Sequence, residues 1–267
     1  MEAMALFSSS SRRFFTHNNY ILLAELIRAK FLNDDRNSIL GLLWSLLGPV
    51  AMFLAMYFIF RTRFGQGITH YPLYLLIGIV LVNFFVNAIT CGSRSLIHSR
   101  EMLLNSSVSP EDIIIVELFV HIYKFLIEII ICIVLSVILA KTPLMMLISL
   151  VPLLVAYFGL IIGINFFLAI LNCFLSDTWY IWILLSRFLF IVTPIFYTLH
   201  SISFLAANAV YFLNPLTPFL ISFRKILLEQ GRIDMGVYLY SLAVGISIFF
   251  LGYLFFRRLK YFAIEKT

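Results

Sequence analysis

The chain has 267 residues, 62% of them hydrophobic and 12% charged, and a formal net charge of +6. A soluble domain of this size needs far more polar surface, so the composition places the chain in a membrane as a polytopic protein. The basic residues are scattered rather than gathered on one face, so the charge is weak evidence for nucleic acid, no such partner is expected, and it suits contact with anionic lipid headgroups.

Residues 1–16 are Ser-rich with Arg12 and Arg13, the pattern of a loosely ordered tail. No apolar core followed by a small-residue cleavage site stands near the start, so the N-terminus is expected to stay in the cytoplasm. Residues 17–37 are expected to form an interfacial amphipathic helix. Tyr20, Leu23, Ala24, Ile27 and Phe31 share one face, and Glu25 and Arg28 lie away from it. Leu22 and Leu26 widen the apolar arc, and Lys30 interrupts it with a stem that can snorkel to the headgroups. A helix packed on a partner subunit would share this pattern.

The polar run from Asn33 to Asn37 marks the turn into a first crossing over residues 39–60, which carries no charge before Arg61. Its length is about the 20 residues a membrane helix needs, and Gly48-Pro49 predicts a kink. A second crossing spans 71–91. The stretch 92–112 is the longest polar one inside the bundle and holds Arg94, His98, Arg100 and Glu101. Ser109-Pro110-Glu111-Asp112 then supplies a cap, a first-turn Pro and two acids, a helix start.

Crossings over 113–140 and 144–171 are separated by the turn Lys141-Thr142-Pro143, and a loop at 172–178 leads to a fifth at 179–198. The stretch 199–232, with Asn214-Pro215, Thr217-Pro218 and Arg224-Lys225, is too broken to cross simply. It reads as paired short helices that dip into the membrane. The last crossing, 236–256, ends in a basic tail with Arg257, Arg258, Lys260 and Lys266. The expected fold is therefore an all-α integral membrane protein, a single transmembrane domain over 1–267. It has six transmembrane helices, an N-terminal interfacial amphipathic helix, and re-entrant-like outer helices between helices five and six. Arg61, Arg63, Lys141, Arg224, Lys225 and Arg232 fall on one side. The larger Lys/Arg set falls with the termini, which puts both termini in the cytoplasm.

Cys91, Cys132, Cys173 and the five histidines are dispersed and make no disulfide framework or metal spacing. There is no Gly-rich phosphate loop and no reactive side-chain set. No catalytic, cofactor-binding or metal site is expected in this chain. Glu117, His121, Lys124 and Glu128 recur at helical spacing in the third crossing, on one face. This intramembrane polar stripe serves either as a proton relay or as mutual neutralisation that ties helices together. Arg187, inside the fifth crossing, either pairs with Glu117 or Glu128 or faces an anionic substrate.

Three stretches carry a family resemblance. They are Arg36-Asn37-Ser38-Ile39-Leu40-Gly41-Leu42-Leu43-Trp44-Ser45-Leu46-Leu47-Gly48-Pro49, then Thr193-Pro194-Ile195-Phe196-Tyr197, then Asn214-Pro215-Leu216 with Arg224 beyond it. In this order they resemble the permease subunit of ABC-2 type transporters of the polysaccharide and polyol-phosphate exporter family, which includes O-antigen, capsule and teichoic acid permeases. Two places depart from the family pattern. The run from Asn105 to Asp112 keeps Pro110 without a following basic residue, and Ser176-Asp177 stands where the family has Arg-Asp.

The resemblance implies a homodimer with two copies of an ABC ATP-binding subunit, which carry the ATP and Mg. The assembly would move a lipid-linked polysaccharide across the bacterial inner membrane. Arg28, Arg36, Arg94, Arg100, Glu101 and Pro110 are the implied docking residues for the ATP-binding subunit. Trp44, Phe53, Tyr57, Phe60, Arg187, Phe190, Phe196 and Tyr197 are candidates for the translocation path, where rings can stack on the apolar faces of sugars. An exporter of a drug or small lipid, or a proton-coupled secondary transporter, are the rival readings.

Overall fold

The computed structural model describes residues 25–28, 30, 42–65, 67–105, 108–229 and 233–266. The Asn33–Asn37 junction, Arg36 and most of the expected surface helix lie outside the described residues, as does the Trp44 side chain. The chain divides into two units, Met1–Gly41 and Leu42–Thr267. In the first, residues 25–28 and 30 are helical, with Glu25 and Arg28 exposed and Leu26 and Ile27 half-buried.

In the second unit the described residues form helices and no strand. These are α1 (Leu42–Phe64), α2 (Tyr71–Gly92), α3 (Ser95–His98), α4 (Arg100–Asn105) and α5 (Pro110–Leu135), then α6 (Leu150–Phe174), α7 (Thr178–Val192), α8 (Phe204–Leu213), α9 (Leu216–Leu228) and α10 (Met235–Lys266). A π-helical turn, Ser136–Ala140, extends α5, and a 3-10 turn, Leu144–Ser149, precedes α6. Helices α1, α2, α5, α6 and α10 are long and apolar enough to cross a membrane.

The fifth expected crossing is shorter than its sequence suggests. Helix α7 has 15 residues, about 22 Å of helix against a hydrocarbon core of about 30 Å. Pro194 explains the stop. The residue before a proline is pushed out of the helical region, and Thr193 stands at ψ 133. Bent, non-helical chain continues to the short turn Leu199–Ser201, and α8 and α9 then meet at 97°.

Side-chain bonds fix the course of the chain. The α6 and α10 pair makes the most extensive helix contact. Tyr238 donates to the Ser149 carbonyl, Gly245 sits on Ala156, and Gly252 sits on Gly163. A constant register along both sequences means that the two helices run parallel, so the chain between them must cross once. Helix α7 begins beside the end of α2, where Trp182 donates to Thr90 at 2.9 Å. The break after it ends beside the start of α2, where Tyr74 donates to the Tyr197 carbonyl at 2.8 Å. That single passage uses up the crossing, so α8 and α9 enter and leave on the same side.

Small residues set the α6–α10 spacing. A Cβ on Gly163 would overlap the Ile248 carbonyl, one on Gly245 the Ala156 carbonyl, and one on Gly252 the Gly163 carbonyl. Membrane helices lack a hydrophobic drive toward each other, and close backbone approach supplies dispersion contacts instead. Helix α2 is the most buried of the spans. Tyr157 of α6 donates to its Leu81 carbonyl at 2.7 Å, and Asn165 and Asn172 donate to Ala88 and Ser93 further along.

The α5 start is the one its sequence predicts. Ser109 and Asp112 form a reciprocal capping box with Pro110 in the first turn. Ser109→Ala should cost about 1 kcal/mol, read as a lower melting temperature in detergent. An unchanged value would mean that the cap is redundant. Beside it, Lys260 of α10 bonds Glu111, both side chains well covered.

On the opposite side, Lys225 donates to Asp234 at 3.1 Å, and Asp234 also accepts from the N–H groups of Val237 and Gly236. The Lys225 hydrogen bond, then the Val237 N–H, hold this carboxyl below the ordinary carboxylate range. A carboxyl depressed by folding adds stability above its unfolded pKa, about 4. That contribution disappears as pH falls through the folded value. The melting temperatures of wild type and Asp234→Asn should therefore differ at neutral pH and converge in acid. A difference that persists in acid would contradict the assignment.

Candidate functional site

The motifs quoted from the fifth crossing and the stretch after it converge on one buried network. Its centre is Arg224 of α9, 5% exposed. Arg224 donates to the Pro194 and Ile195 carbonyls at 2.6 Å each, and to the Tyr74 carbonyl at 3.1 and 3.0 Å. Its guanidinium also lies 3.4 Å from the centre of the Tyr74 ring. A planar fork with five donors can serve several carbonyls at once, which an ammonium cannot. The break at Pro194 frees backbone carbonyls inside the protein, and Arg224 satisfies them.

The rest of the network holds the break from its other side. Asn214 donates to Thr193 Oγ1 at 2.7 Å and accepts from the Leu216 N–H at 3.0 Å. Tyr197 donates to the Val192 carbonyl at 2.6 Å, and Tyr71 donates to the Phe196 carbonyl at 3.3 Å. Gly78 makes room, since a Cβ there would stand 2.6 Å from Arg224 Nη2. Sequence reasoning missed Tyr71, Tyr74 and Gly78. Their signal was spacing, since i, i+3 and i+7 place them on one face of α2.

An aromatic row runs from α1 to this break. Phe53 stacks with Tyr57 at 5.8 Å, Phe60 stacks face to face with Phe196 at 4.4 Å, and Phe196 meets Tyr197 edge-on at 5.3 Å. Five of the path candidates, Phe53, Tyr57, Phe60, Phe196 and Tyr197, thus belong to one region. Phe190 packs half-buried against the core. Arg187 is exposed on α7 among Leu184, Phe188 and Ile191, and makes no ion pair among the described residues.

The polar stripe of α5 faces a cavity of about 500 Å³ between α1, α2 and α5. His121, Lys124 and Glu128 line it from α5, Asn83, Asn87 and Cys91 from α2, and Gly48, Pro49 and Met52 from α1. Asn83, Asn87 and Cys91 follow one another at i+4 spacing, so α2 answers the charged stripe with amides and a thiol. Glu117, 9% exposed, lies one turn before His121.

The docking candidates lie apart from these features. Arg94 stacks on the Trp179 ring at 4.2 Å, Arg100 and Glu101 are exposed on α4, and Pro110 opens α5. Arg28 is exposed in the first unit.

The chain is similar to the O-antigen export system permease protein RfbA of Myxococcus xanthus. The two are 22% identical over 232 residues, 85% of this chain and 88% of that protein. It is also similar to the O-antigen export system permease protein RfbA of Klebsiella pneumoniae. That pair is 25% identical over 230 residues, 85% of this chain and 87% of the relative. These relatives support the ABC-2 type O-antigen permease family. No family model matches the chain. Likeness to permeases along most of the chain is consistent with a transport subunit rather than an enzyme. The described residues form the all-α membrane bundle that the apolar runs of the sequence predict.

Proposed function

We propose that this chain is the permease subunit of an ATP-driven exporter that moves a lipid-linked polysaccharide, such as O-antigen, across a bacterial inner membrane. The observation that carries the reading is the Arg224 network. Thr193–Tyr197, Asn214–Leu216 and Arg224 are family-like motifs separated in sequence, and they meet in one buried assembly that shapes the end of α7. The permease relatives add a second line of support.

In this reading two copies of the chain pair, and two separate ATP-binding subunits dock beside Arg94, Arg100, Glu101 and Pro110, together with Arg28 and Arg36. Those subunits carry the ATP and Mg. Both termini face the cytoplasm. The aromatic row of Phe53, Tyr57, Phe60, Phe196 and Tyr197, together with Trp44 and Phe190, borders the path between copies. Rings offer broad apolar faces to sugar C–H groups without demanding one sequence of sugars. The exposed Arg187 supports the pairing. A charge turned outward from a spanning helix is costly in hydrocarbon, and a polar path between two copies gives it water and an anionic cargo.

The test is transport by the chain and its ATP-binding partner in membrane vesicles loaded with lipid-linked polymer. Movement should require ATP and survive collapse of the proton gradient. Movement that stops with the gradient and ignores ATP would replace this reading with a proton-coupled transporter driven through Glu117 and Glu128.

A further inference from the structure

We propose a divalent transition-metal site, of the zinc type, formed by Cys91 Sγ, the Glu117 carboxylate and an imidazole nitrogen of His121. The three residues come from two helices. Glu117 and His121 are one turn apart on α5, and Cys91 stands at the end of α2. Their ligand atoms all lie within 4.8 Å of one another. Bond lengths of about 2.0–2.3 Å to N, O and S put tetrahedral ligand atoms roughly 3.3–3.7 Å apart. Closing the present arrangement takes about 1 Å, within reach of side-chain rotation alone.

The donor set is specific. Thiolate, imidazole and carboxylate together select zinc and its neighbours over calcium or magnesium, which take oxygen ligands. Three protein ligands leave a fourth position open, and the cavity between α1, α2 and α5 supplies it. Cys91 and His121 line that cavity, so the open position has both space and an approach. Charge also balances. A thiolate and a carboxylate neutralise the dication, and a neutral complex is the least costly one in a membrane interior. Lys124 and Glu128 line the same cavity further along α5. On binding, the metal–sulfur bond replaces the S–H bond of Cys91, and the thiol proton leaves to solvent. The bound ion pins the end of α2 to α5.

The test uses the purified full chain in lipid nanodiscs, titrated with Co²⁺ as a spectroscopic probe and with Zn²⁺ against a chromophoric chelator. Wild type should take up a single ion per chain and show a thiolate-to-cobalt charge-transfer band. Cys91→Ser should lose the band and bind Zn²⁺ roughly 100-fold more weakly or worse, since losing even an outer partner of a metal ligand costs about 10–100-fold. Cys91→His should recover affinity without the band. Cys173→Ser should match wild type. Cys91 is exposed, so its replacements leave the core untouched. A wild-type chain without the band, or a Cys91→Ser variant with undiminished affinity, overturns the site.

Discussion

Arg224→Met is expected to be the most damaging single substitution in the chain. It removes every donor that serves the Pro194 and Ile195 carbonyls, which belong to no helix and lie where water does not reach. An orphaned buried acceptor costs about 1–3 kcal/mol, so the pair loses roughly 2–6 kcal/mol. The apolar side chain also gives up its place on the Tyr74 ring. Arg224→Lys should recover only part of this, because one ammonium cannot reach both carbonyls and Tyr74 together. Gly78→Ala should act the same way from the other side, by pressing on Arg224 Nη2. Thermal melting of each variant in detergent checks the ranking. A wild-type melting temperature for Arg224→Met would mean that the break holds itself.

Gly252→Ala should come next. Its Cβ would overlap the Gly163 carbonyl, which is helix backbone and cannot rotate away. Relief requires α6 and α10 to separate along a contact that runs from Ser149 and Tyr238 to Phe166 and Phe256. Overpacking of this kind costs about 1–3 kcal/mol, occasionally more. Gly159→Ala supplies the contrast, since its Cβ would meet Gly245 and Phe249 at an ordinary 3.7 Å. The two substitutions change the same residue type on facing helices of one interface. Equal melting temperatures for them would show that spacing does not govern the pair.

Much of this fold was legible because a membrane imposes length on apolar runs. The segments at 71–91, 113–140 and 236–256 return as α2, α5 with its π turn, and the body of α10. The Ser109 cap and the paired helices after the fifth crossing were legible from turn chemistry. The end of α7 was less so. Thr193-Pro194 sits in an apolar run that a length rule extends to residue 198, and Pro alone does not distinguish a kink from a stop. What decides it here is tertiary. Arg224, far along the chain, satisfies carbonyls that a continuing helix would have used itself.

The site was legible in part, and the hidden part is long-range. Thr193–Tyr197, Asn214–Leu216 and Arg224 could be picked out, but no pattern said that they meet. Tyr71, Tyr74 and Gly78 shared a face of α2 that carried no charge to draw attention. Cys91 looked isolated because metal spacing in a sequence is local, whereas Glu117 and His121 reach it only after two helices pack. The polar face that meets the α5 stripe carries amides and a thiol, Asn83, Asn87 and Cys91, which no charge pattern marks in the sequence.

The role of the chain in the cell is tested by depleting it in its native host and scoring polysaccharide on the surface and inside with a lectin. The proposed export role requires polymer to vanish from the surface and to accumulate within. Unchanged polymer in both pools would contradict a polysaccharide cargo.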